Sequence, residues 1–294
     1  MDLRPDYEIK AEQDKEMDKL FDRFHAEWRV YDNSLHSLQR LPCQLVVYYN
    51  ARPDPRCAAD TRINIINQVK QLIEQYEASG QPPPLLSPVR LLQYHKLPII
   101  SEEVDSAICS WILSPGSKLL WVRSPAGYIW DESTIGAAIR AHNCAWAAGL
   151  PAVFISTRHY YYEDPTLPLT NKRRALYGFM FGFFQELARL IPAEFKSHAG
   201  LSLGLTWNYW RRSSIYEALE VLHILLGLAP TALVLIVDGL DRVEWWDTVD
   251  FVEQLVGKLR CMGSGRRFKV LFTTARDSRN LAGVMDHDER VMAN

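Results

Sequence analysis

Four short apolar runs punctuate the second two-thirds of the chain, at 119–122, 152–156, 232–237 and 268–273. None alternates apolar with polar residues, which is the pattern of strands buried on both faces. Between and around them lie longer stretches whose apolar residues recur at three- and four-residue steps, the spacing of one helix face: 101–113, 132–148, 172–191, 215–228 and 245–261. Ser101 is suited to cap the acidic first turn of the first of these, and Pro230 to end the fourth just before a strand. Strands separated by helices predict parallel pairing through right-handed crossovers, hence an α/β fold with a four-stranded parallel sheet flanked by helices.

The first third reads differently. Within 12–38, Met17, Leu20, Phe21, Phe24 and Trp28 share one helix face, 44–49 suits a short strand, and 62–78 is helical with Ile63, Ile66, Val69 and Ile73 on one side. The segment 79–88 (S-G-Q-P-P-P-L-L-S-P) cannot continue that helix and reads as a linker. The expected organisation is a mainly helical accessory region over 1–88 and a parallel-sheet unit over 89–294. The helix at 172–191 carries Gly178 and Gly182 four apart, but its apolar centre is far shorter than the ~20 residues that span a bilayer, so it is predicted to be a buried helix.

Composition narrows the function classes. With 48% hydrophobic residues the chain can bury a large core, and a net charge of -2 gives no electrostatic basis for binding nucleic acid or an anionic membrane. The aromatic and basic clusters at 158–162 and 207–212 therefore lack the field that a single-stranded nucleic-acid site needs. The N-terminus has no apolar signal region and no transmembrane stretch is apparent, so a cytoplasmic protein is expected. Cys43, Cys57, Cys109, Cys144 and Cys261 are scattered without C-x-x-C spacing, and the histidines show no metal-ligand spacing, which argues against a disulfide framework or a zinc site.

Chemistry concentrates after the first apolar run. There the chain turns through Pro125 and Gly127 into a helix, the strand–loop–helix grammar in which a phosphate-binding loop sits. Laid on G-x-x-x-x-G-K-[ST], Ser124 stands for the first glycine, Ile129 for the second, Trp130 for the lysine and Asp131 for the hydroxyl residue. Ile129 is ill suited to the backbone conformations that glycine allows, and Trp130 is neutral. Asp131 and Glu132 put carboxylates at the positive end of the helix dipole, where a phosphate would bind. The same residues also fit a plain strand-to-helix turn. A second candidate is Asp238-Gly239-Leu240-Asp241, at the end of the third apolar run, which reads either as an acidic site or as a strand ending in a turn.

Taken with their flanks, 107–127, 232–241 and 268–276 resemble the nucleotide-binding domain of fungal NACHT-type signalling NTPases of the STAND class, over about residues 100 to 290. The resemblance implies a P-loop NTPase-like core with a strand between those carrying the two nucleotide motifs, and a helical lid, winged-helix region and repeats that the chain stops short of. It implies a Mg²⁺-holding role for Asp238, a water-positioning role for Asp241 and a sensor role for Arg276, which is offset by one residue. Arg242 stands where the family commonly has Glu. With the phosphate grip replaced, the expectation is a regulatory or scaffolding module acting through protein partners, without NTP hydrolysis and with no cofactor. The alternative is a nucleotide-dependent switch that binds Mg-ATP or Mg-GTP through Asp238 and an altered loop; more distant is an unrelated α/β enzyme with its pocket at the strand ends.

Overall fold

The computed structural model describes residues 55–78, 100–124, 132–157, 169–192, 213–244, 249–262 and 266–293, all within the second of the two units into which the chain divides, Tyr49–Asn294. Outside these residues lie the expected helix at 12–38, the strand at 44–49, the linker at 79–88, both aromatic-basic clusters, and Gly127, Ile129, Trp130 and Asp131.

In chain order the elements are α1 (Pro55–Ala78), α2 (Glu102–Leu113), β1 (Lys118–Arg123), α3 (Glu132–Ala147), β2 (Ala152–Ser156), α4 (Leu169–Leu190), α5 (Ser213–Leu228), β3 (Ala232–Asp238), α6 (Val249–Cys261), β4 (Arg267–Thr274), α7 (Arg279–Val284) and β5 (Arg290–Met292). Short 3₁₀ turns at Leu240–Arg242 and His287–Glu289 follow β3 and precede β5.

All five strands are parallel, in the order β2-β3-β4-β1-β5. The four apolar runs thus form one parallel sheet as expected, with β4 between β1 and β3, and a fifth strand is added beyond β1. β3 and β4 are buried along almost their whole lengths, which is why their sequences carry no polar alternation.

Handedness sorts the helices. From β1 the chain crosses over β4 and β3 to β2, then steps back in the opposite direction through β3 and β4 and on to β5. Right-handed crossovers travelling in opposite directions must lie on opposite faces. Accordingly α3 packs on one face, its Ile135, Ala138 and Ile139 against Leu120, Val122, Val234 and Leu271, together with Val104, Ile108 and Trp111 of α2. Buried residues of α4, α5 and α6, with Leu281 of α7, pack on the other face against Leu119, Trp121, Leu235, Val270 and Phe272. Alanines along α3 let that helix approach the sheet closely, whereas α4 fills its layer with the fully buried Phe179, Phe181, Phe183 and Phe184. Gly178 and Gly182 lie on this buried helix, as expected.

Helix α1 joins the same core. Ile65, Val69 and Ile73 are buried in the cluster that contains α4, and the Arg62 Nε donates to Ile191 O at 2.9 Å, closing the carboxyl end of α4. The buried stripe differs from the expected one by a rotation. Ile65 is fully buried while Ile63 is 55% exposed, because two residues advance a helix by about 200° and only one of the pair can face α4.

Two caps fix α2. Ser101 accepts from the Val104 N–H at 3.4 Å, as the sequence predicts, and at the other end the Lys269 ammonium donates to Ser114 O at 2.7 Å and to Ser114 Oγ at 2.6 Å. Lys269 is a charged residue inside an apolar strand, 4% exposed, and burial followed by the charges of Lys118 and Arg267 lowers its pKa. Placing that cation at the negative end of α2 offsets part of its desolvation.

Candidate active site at the carboxyl edge of the sheet

In an open parallel sheet the crevice for chemistry lies outside the carboxyl ends of the strands, where adjacent strands send their connections to opposite faces. Here that point is between β1, which leads to α3 on one face, and β4, which leads to α7 on the other. Ser124, the residue that follows β1, is buried, and its N–H donates to Thr274 O at 3.0 Å. Ser124, the last described residue before Gly127, Ile129, Trp130 and Asp131, therefore lies at the switch point, next to the end of β4.

Asp238 ends β3 on the far side of β4, in register with Thr273, while Arg123 of β1 is in register with Thr274. Two strand spacings put it about 10 Å from the end of β1. Its carboxylate is fully buried and spans three strands: Ser156 Oγ of β2 donates to Oδ2 at 2.7 Å and Thr273 Oγ1 of β4 donates to Oδ1 at 2.6 Å. Thr157 extends the clasp, its N–H donating to Asp238 O at 2.9 Å and its hydroxyl to the carbonyls of Asp238 and Gly239. Gly239 then turns the chain at φ 77°, a conformation that costs an L-residue about 1–2 kcal/mol, and its N–H reaches Thr273 O at 2.8 Å.

The remaining candidates surround this clasp. Asp241 lies on the 3₁₀ turn, half-buried, with Oδ1 accepting from the Ala275 N–H at 3.3 Å. Arg276, two residues past β4, is exposed. Beside it Asp277 pairs with Arg123, whose guanidinium also lies 5.6 Å from the centroid of the Trp121 ring. Trp121 is buried in β1, donates from Nε1 to Thr274 Oγ1 at 2.9 Å, and has Arg290 of β5 on its ring at 5.9 Å.

Glu244 has no counterpart among the residues singled out from sequence. Burial pushes its carboxyl up to about 7; the Asp241 charge acts in the same direction, and a hydrogen bond from the Ser278 hydroxyl opposes both. Ser278 in turn caps α7 by accepting from the Leu281 N–H at 2.9 Å. Hydroxyl residues ending apolar runs, I-S-T at the end of β2 and T-T in β4, are the sequence signal for the Asp238 clasp. The arrangement can hold a carboxylate rigidly in a dry hydroxyl cage. Among the described residues no group of three or more His, Cys, Asp or Glu is arranged to hold a metal ion.

No protein-family model matches the chain, and a search of curated proteins gives no significant match.

Proposed function

We propose that the protein is a degenerate NACHT-like P-loop domain that serves as a regulatory or scaffolding module through protein contacts and does not hydrolyse nucleoside triphosphate. The observation that carries this reading is the Asp238 carboxylate, fully buried with each oxygen accepting from a hydroxyl of a neighbouring strand. A magnesium-holding carboxylate has to present oxygen to a phosphate-bound ion, whereas this one ties β2, β3 and β4 together. The loop sequence argues the same way. Trp130 at the lysine position removes a charge-assisted contact worth roughly 1.5–3 kcal/mol, or about one to two decades of affinity. Ile129 and Asp131 add obstruction and like charge.

One observation favours the second reading, a nucleotide-dependent switch using Mg-ATP or Mg-GTP. Ser124, with which the altered loop begins, lies at the topological switch point, two strands from Asp238, where a nucleotide would lie in such a fold. Calorimetric titration with ATP, ADP and GTP, with and without Mg²⁺, separates the two. The expected result is no saturable heat below millimolar nucleotide, with measurable Mg-ATP affinity returning when Ser124→Gly, Ile129→Gly, Trp130→Lys and Asp131→Thr are made together. Micromolar Mg-ATP binding by the natural chain, abolished in a folded Asp238→Asn variant, would overturn the proposal.

A further inference from the structure

On the face of the sheet that carries α2 and α3, these helices present matching pairs of residues to each other. Asp105 and Cys109 are four apart on α2, and Arg140 and Cys144 four apart on α3, so each pair occupies one stripe of its helix. The stripes meet. Arg140 Nε donates to Asp105 Oδ1 at 2.6 Å and its Nη2 lies 4.0 Å from Cys109 Sγ, so the guanidinium one turn before Cys144 reaches the Cys109 thiol, and the two thiols feel each other electrostatically. Both thiols are half-buried and neither is in a disulfide, while Arg140 and Asp105 are 44% and 38% exposed. Small oxidants can therefore reach the pair, and two thiols on packed helices that share one guanidinium are placed for an inter-helix disulfide to join them.

We propose that Cys109 and Cys144 are a reversible dithiol–disulfide site, oxidised by hydroperoxides, that staples α2 to α3. Cys109, beside Arg140, attacks first: its sulfur bonds to the distal peroxide oxygen, the O–O bond breaks, and the leaving hydroxide takes the Cys109 proton to become water. Cys144 then attacks the resulting sulfenic acid. The S–S bond forms, the S–O bond breaks, and the departing hydroxide takes the Cys144 proton as the second water. Two thiols and one hydrogen peroxide thus yield one disulfide and two waters, and a dithiol reductant reverses the change. Burial raises the Cys144 pKa against the opposing charge of Arg140, which suits it to the resolving role. The bond would fix the helix that leaves the altered loop to the helix that precedes β1, so oxidation acts on the loop's frame without touching the Asp238 clasp.

The test uses the reduced full-length chain, treated with hydrogen peroxide at neutral pH and mapped by trypsin and mass spectrometry without reduction. The expected product joins peptides 97–118 and 141–158, is 2 Da lighter than their sum, and is lost on adding dithiothreitol. Cys144→Ser should leave Cys109 as a sulfenic acid trapped by dimedone, whereas Cys109→Ser should leave Cys144 unmodified. The oxidised chain should melt about 5 °C or more above the reduced one. Oxidation confined to the exposed Cys261, or pairing of either thiol with Cys43 or Cys57, would overturn the assignment.

Discussion

The Asp238 carboxylate accepts from two hydroxyls that have no access to water, so its removal takes an acceptor from both Ser156 and Thr273 in the core. Asp238→Ala is expected to cost about 2–4 kcal/mol in urea unfolding, and Asp238→Asn, which keeps an acceptor, about 1 kcal/mol. A cost for the alanine variant below about 0.5 kcal/mol would show that the clasp contributes nothing to stability. Glu244 gives a pH signature of opposite origin. Its folded pKa, raised to about 7 from an ordinary 4.5, means the native state keeps a proton that the unfolded chain releases. Its burial therefore costs nothing below about pH 4, reduces stability progressively as the pH rises from there to 7, and exerts its full cost above 7. Glu244→Gln should flatten that slope, stabilising the protein at pH 8 by on the order of 2 kcal/mol and leaving it nearly unchanged at pH 4, as read by thermal melts across pH. An unaltered slope would remove Glu244 as the group responsible.

At the scale of elements, α1 is the test of where the folded unit begins. Its Ile65, Val69 and Ile73 cover the aromatic layer of α4, and Arg62 closes the end of that helix. A chain begun at residue 49 should fold with the full cooperative melt, whereas one begun at residue 79 should expose the α4 face, bind a hydrophobic dye and lose at least ~4 kcal/mol of stability. Equal melting of the two chains would make α1 dispensable. The four longer strands, β1 to β4, and the α4 core were legible because burial on both faces leaves an uninterrupted apolar signature, as in A-L-V-L-I-V. β5 was not, since R-V-M is three residues long and exists through its pairing with Trp121, Val122 and Arg123. Lys269 was hidden for a related reason: nothing local in F-K-V-L-F reveals the Ser114 carbonyl that receives its charge. Of the site, D-G-L-D drew attention to Asp238, but the hydroxyls that bind its carboxylate come from strands 82 residues before it and 35 after it, and Glu244 acquires its character only from burial.

For the whole molecule the strand order matters more than any single contact. β2, β3 and β4 are neighbours in the sequence and in the sheet, whereas β1 lies between β4 and β5, the last two strands made. The Ser117 hydroxyl just before β1 reaches Arg266 O just before β4, 149 residues away, and Ala293 N–H closes on Arg123 O at 2.7 Å. At synthesis rates of about 5–20 residues per second, β1 emerges from the ribosome roughly 7–30 s before its first partner exists. Through that interval L-L-W-V is an apolar strand with both edges open, which makes it the segment of the nascent chain most in need of a chaperone and the one through which a chain stalled before residue 267 would aggregate.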